Sequence, residues 1–221
     1  MSKSYHFTFP LNEEQIRELQ LGDLVYLTGN IYTMRDMGHR RAVDMLNEGK
    51  ELPFDLASGA IWHCGPIVRK DANDKWETVS AGSTTSSRFT YLGSDLIKKV
   101  KVRATIGKGQ MLQTAVDTMQ EVGSVFLNTT GGTAALYAQQ IEEIVDVHWT
   151  DLGLPEAIWV MRVKDLGPLV VGIDSHGRSL FNDKKVELDQ LLEQKYKEAN
   201  IDPTYSLAYL PKRVPASGNK K

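Results

Sequence analysis

Short runs in which apolar and polar residues alternate are followed repeatedly along this chain by stretches in which apolar residues recur at helical spacing. That succession predicts mixed α/β structure built in layers. Tyr5-His6-Phe7-Thr8-Phe9 alternates as a half-buried strand does. Asn12, with Gln15 three residues on, has the spacing of a helix cap and its return partner, and predicts a short helix to about Gln20. Asp23–Gly29 reads as a strand ended by a glycine turn, and Met34–Glu48 as a helix stopped by Gly49. Strands are expected at Ala60–Cys64 and Trp76–Val79, then a polar turn at Ser83–Ser87 opening a helix, and a strand at Val102–Ile106. A helix over Met111–Gln120, a strand over Ser124–Leu127, a helix over Ala134–Gln139 and strands near 141–148, 158–163 and 168–174 complete the core. The last periodic helix is Val186–Ala199, and Pro203, Pro211 and Pro215 then predict an extended tail. With no repeat, coiled coil or compositional shift, one domain over residues 1–200 and a tail over 201–221 are expected.

Composition removes several classes of function. The 221 residues hold 26 Lys+Arg against 28 Asp+Glu, a net charge of −2 without the basic excess of a general nucleic-acid binder. The longest mainly apolar stretch, Leu166–Ile173, contains Gly167, Pro168 and Gly172 and falls far short of the ~20 residues of a membrane span. The N-terminus has no apolar signal-peptide core, so a cytoplasmic protein is expected. The single cysteine, Cys64, cannot by itself build a disulfide framework, a thiolate zinc site or an iron–sulfur cluster, and its apolar neighbours make it a buried side chain.

Three polar clusters fall where strands are predicted to end, the usual place for ligands in layered α/β proteins. In the first, Thr33–Arg41, Arg35 and His39 share a helix face; read alone, it is also an exposed ion-paired helix. In the second, Gly82-Ser83-Thr84-Thr85-Ser86-Ser87-Arg88, five consecutive hydroxyl residues at a helix entry supply free N–H groups and oxygens suited to an anion. Arg88, one turn beyond Thr84, can grip a carboxylate against the Thr84 oxygen; a plain capped helix is the competing reading. The third, Gly107-Lys108-Gly109, frees a lysine to point into a cleft but lacks the GxxxxGK[ST] phosphate-loop spacing. Arg35, Arg88 and Lys108 with a hydroxyl-rich loop suit a small dicarboxylate. No histidine or carboxylate pair has metal-ligand spacing, so no metal ligand is expected from this chain.

One ordered set of motifs now carries a resemblance. Arg35-Asp36-x-x-His39-Arg40, Pro53-x-Asp55-Leu56, His63-x-Gly65-Pro66-Ile67-Val68-Arg69-Lys70, Thr84-Thr85-Ser86-x-Arg88, Gly107-Lys108-Gly109 and Leu152-Gly153-Leu154-Pro155-Glu156-x-x-Trp159 together resemble the β subunit of two-subunit class I hydro-lyases. These are the L(+)-tartrate dehydratases and iron–sulfur fumarases; Gly65–Lys70, Lys75–Glu77 and His148-Trp149-Thr150 lean toward tartrate dehydratase. The resemblance implies a swivelling β/β/α domain that closes over a cluster-bearing α subunit, with an α2β2 assembly expected and the 4Fe-4S cluster held by that partner. It also implies Thr84 as the base for the C3 proton and Arg35, Arg88 and Lys108 as carboxylate ligands, with His39 and Thr85 as further site candidates. Ser83 stands where the family usually has proline, and Phe89 where methionine is common. Tartrate to oxaloacetate is the first expectation, malate and fumarate the alternative, and a non-catalytic carboxylate-binding module of the same fold the further one.

Overall fold

The computed structural model describes residues 2–57 and 59–202, so the expected tail lies outside them from residue 203 onward. The chain divides into two compact units between Phe181 and Asn182. The first holds β1 (Ser4–Thr8), α1 (Glu13–Arg17), β2 (Leu24–Thr33), α2 (Asp36–Asn47), β3 (Ala60–Trp62), β4 (Ile67–Lys70) and β5 (Trp76–Ser80). A 3-10 turn at Ser87–Phe89 leads into α3 (Thr90–Val100), followed by β6 (Ala104–Gly107), α4 (Gln113–Val122), β7 (Val125–Asn128), α5 (Ala134–Gln139), β8 (Ile141–His148) and β9 (Ile158–Ile173). The final helix, α6 (Leu180–Glu198), starts earlier than the sequence pattern predicts and belongs almost wholly to the second unit. It buries no side chain and is laced by the pairs Lys184–Glu187, Lys185–Asp189 and Lys195–Glu198.

The fold is mixed α/β, as expected. Strand order in the main sheet is β1-β2-β3-β6-β7-β9-β8, and β9 also pairs with β2, so the sheet returns on itself. Neighbours from β1 to β7 are parallel, while β9 runs antiparallel to β2, β7 and β8. Period-two alternation sorts the buried side chains into two cores. Ala60 and Trp62, Ala104 and Ile106, Val125 and Leu127, and Trp159 and Met161 face one. Ile61, Phe126, Ile158 and Val160 face the other, which is filled by Val43 of α2, Leu96 and Ile97 of α3, and Val116 and Met119 of α4. Because β3 and β6 are covered on both faces, they read as continuous apolar runs rather than alternating ones. No helix among the described residues is long and apolar enough to cross a membrane.

Four expectations are corrected. β2 does not end at Gly29: the glycine takes φ +118°, a bulge where register with β9 shifts, with Phe9 packed against it, and pairing resumes to Thr33. The break expected near Gly167-Pro168 is absent, because the Gln140 side chain pairs with Gly167 as a strand would. Its amide donates to the Gly167 carbonyl (2.9 Å) and its oxygen accepts the Gly167 N–H (3.2 Å), which carries β9 through the prolyl residue. The hairpin strand β4 was not expected, its residues being mostly exposed. Finally, the hydroxyl-rich segment does not leave all of its N–H groups free at a helix entry. Thr84 N–H donates to the His63 carbonyl (2.8 Å) and Ser86 N–H to the Lys108 carbonyl (3.0 Å). The capping expectation at Asn12 holds: Asn12 Oδ1 accepts the Gln15 N–H and Gln15 Oε1 accepts the Asn12 N–H.

Candidate active site

The parallel strands point their carboxyl ends to one edge, where chain reversals leave backbone and side chains free for a ligand. β2 delivers Thr33 and, two residues later, Arg35 as the residue preceding α2. β3 ends in His63-Cys64-Gly65, and β6 ends in Gly107-Lys108-Gly109. The hydroxyl loop lies across the last two ends. Isolated bridges pair Ser83 with Cys64 and Thr85 with Lys108, so residues distant in sequence become neighbours through backbone hydrogen bonding alone. Gly107 makes this crossing possible, since a Cβ there would collide with Ser86 Oγ and stand 2.9 Å from the Phe126 ring.

Arg88 is the central link. One of its terminal nitrogens donates to Thr84 Oγ1 at 3.0 Å and lies 3.1 Å from Asp36 Oδ2. Asp36 opens α2 directly after Arg35, so the hydroxyl loop and the first turn of α2 are tied together through this guanidinium. Arg35 has its own carboxylate: its Nε lies 3.4 Å from Glu156 Oε1. Lys108, half-buried beside Thr85, makes no ion pair among the described residues and supplies a cation not already neutralised. Thr84 is half-buried and Thr85 exposed.

His39 takes a different place from the one its helix position suggests. It is fully buried, donates from Nδ1 to the Arg35 carbonyl at 2.9 Å, and stacks on Phe89 with centroids 5.1 Å apart. His63 packs against the same ring and exchanges a hydrogen bond between Nδ1 and Ser86 Oγ at 2.9 Å. Burial drives the His39 pKa down to about 4; burial, then the nearby His39 and Arg88, hold His63 well below the ordinary histidine value. Two neutral imidazoles thus form the floor under the loop. Phe89 fills the gap between them, and Ser83 accepts the Trp62 indole N–H at 2.6 Å, so both departures from the family pattern are packed into the site's support.

Sequence reasoning missed Glu156 as a partner, Asp36 as the link to Arg88, and the loop-holding roles of His63 and Ser86. Glu156 and Gly65 appear only inside motifs, without a part to play. Nothing local signals the contact of Glu156 with α2, because it joins segments far apart in the chain. Cys64 is buried, and desolvation pushes its thiol up to about 12. Among the described residues no three His, Cys, Asp or Glu side chains converge on a position for a metal ion.

Comparison of the sequence with known proteins finds a family and several relatives. The Fumarase C-terminus family matches residues 4–184. The L(+)-tartrate dehydratase subunit beta of Escherichia coli (strain K12) is 43% identical over 178 residues, covering 80% of this chain and 87% of that one. The "Putative L(+)-tartrate dehydratase subunit beta" of Methanocaldococcus jannaschii is 41% identical over 192 residues, covering 84% and 98%. The "Putative fumarate hydratase class I" of Geobacillus stearothermophilus is 44% identical over 187 residues, which are 84% of this chain and 35% of that longer protein.

Proposed function

The chain belongs to the Fumarase C-terminus family, and on that premise we propose that it is the β subunit of a hydro-lyase that dehydrates L(+)-tartrate to oxaloacetate. Its fold in this reading is the swivelling β/β/α domain, and its partner is an α subunit carrying the 4Fe-4S cluster. This chain's own residues do not fit such a cluster: its lone cysteine is buried and its thiol is held protonated. Activation of the leaving hydroxyl is therefore assigned to the partner, and the β subunit's part is to grip the substrate and move a proton.

The observation that carries this reading is the Arg88–Thr84 hydrogen bond. A threonine hydroxyl is a poor base in water, but a guanidinium N–H aimed at its oxygen favours the alkoxide, and a closed site strengthens that effect. With its own hydroxyl proton released to solvent before the site closes, Thr84 Oγ1 as the alkoxide takes the proton from C3 of the substrate and ends as the neutral hydroxyl. The C–H electron pair becomes the new carbon–carbon double bond as hydroxide leaves the adjacent carbon, and the resulting enol ketonises to oxaloacetate. Arg35 and Lys108 hold the carboxylates, with Arg88 shared between one carboxylate and Thr84. The bulk of the arrangement serves geometry, because a reacting group misplaced by about 1 Å costs on the order of 10²-fold in rate.

The resemblance to a class I fumarate hydratase supports malate and fumarate as the second reading. Anaerobic co-expression with the cluster-bearing partner, followed by turnover of L-tartrate, malate and fumarate, separates the two. A higher kcat/KM for L-tartrate is expected; a preference for malate reverses the ranking, and no turnover of any of them leaves a binding module.

A further inference from the structure

Glu156 precedes β9 by two residues and reaches the first turn of α2. Its Oε2 accepts the Met37 N–H at 2.9 Å, one of the N–H groups that a helix start leaves without an internal partner. Its Oε1 lies 3.4 Å from Arg35 Nε, and that nitrogen is buried with no hydrogen bond among the described residues. The pair is largely withdrawn from water, with side chains 15% and 27% exposed, so the carboxylate is what compensates the buried guanidinium edge. Backbone closes the other side: a Cβ on Gly65 would stand 2.8 Å from Arg35 Nη1, from Arg35 Cδ and from the Pro155 carbonyl oxygen. Arg35 is thus confined between a charge and a wall before any ligand arrives.

We propose that Glu156 is the positioning residue of Arg35, pre-orienting its guanidinium for a substrate carboxylate through one carboxylate that also caps α2. The inference rests on the reading of Arg35 as a substrate ligand. A guanidinium ordered in advance loses less freedom on binding, so the effect belongs to affinity and not to the proton-transfer step.

The test uses the reconstituted complex. Glu156→Gln keeps an acceptor for the Met37 N–H and removes the charge. The KM for L-tartrate and the inhibition constant of succinate, a dicarboxylate that does not react, should both rise about tenfold while kcat stays within about threefold. In an Arg35→Gln background the same substitution should add nothing, because it acts through Arg35. Equal losses in the two backgrounds, or a fall in kcat alone, overturn the proposal. Should Glu156→Gln fold poorly, Glu156→Asp keeps the charge at shorter reach and must raise KM by an intermediate factor; an unchanged KM overturns the proposal there too. If Arg35→Gln by itself alters neither KM nor succinate inhibition, Arg35 is not a ligand, and the site reading falls together with this inference.

Discussion

His39 and His63 show how single residues can limit the conditions under which the site exists. Both are buried, both lack a partner at Nε2 among the described residues, and both are held neutral by the folded structure. A depressed folded-state pKa means that the unfolded chain binds protons that the native chain refuses. Stability is therefore full above the unfolded histidine value near 6.5 and is lost as pH falls toward the His39 value of about 4. For His39 alone the loss amounts to roughly 3 kcal/mol at the acid end, with His63 adding in the same direction. Urea midpoints measured from pH 7 to pH 4.5 should fall accordingly. His39→Gln should flatten the curve, and a variant with the wild-type slope would place the titrating group elsewhere.

At the scale of elements, the site depends on a loop laid across two strand ends, and Gly107 is the point where that crossing is tightest. Gly107→Ala puts a methyl group into Ser86 Oγ and against Phe126 and His63 Nδ1 at 3.1 Å, the last of them a member of the floor. Overpacking of this kind costs about 1–3 kcal/mol. The expected outcome is a lower unfolding temperature and at least a tenfold loss of kcat/KM as Thr84 moves from Arg88; a variant with normal kinetics would show that the crossing tolerates more play. Much of this architecture was legible in sequence. Period two in β1 and the two-sided apolar runs of β3, β6 and β7 report burial directly, and the Asn12–Gln15 spacing reports its cap. The strand ends with their Arg35, Thr84, Arg88 and Lys108 were legible because cations and hydroxyls beside glycine stand out against a buried strand. What stayed hidden depends on partners far along the chain. β4, unlike the expected β5, was hidden: the hairpin they form packs through Trp76 on Trp159, and the passage through Gly167 depends on the Gln140 side chain. The Glu156 contact with α2 is of the same long-range kind, so no local window contains it.

In the proposed reading the whole molecule supplies one half of a site. Arg35 and Arg88 already face Glu156 and Asp36, so most of the local cationic charge is neutralised before substrate arrives. Purified alone, this chain should stay colourless after anaerobic addition of iron and sulfide, because a buried thiol with a pKa near 12 cannot replace several accessible thiolates. A stoichiometric cluster on the isolated chain, read from its visible absorbance, would contradict the two-subunit reading. The central claim is that this subunit brings the base as well as the grip, and it is tested most directly by the steady-state kinetics of Thr84→Ala in the reconstituted complex. A fall in kcat of at least ~10²-fold with KM little changed is the predicted result, since the carboxylate ligands remain in place. A Thr84→Ala complex that turns over normally, or one less impaired than Thr85→Ala, would contradict it.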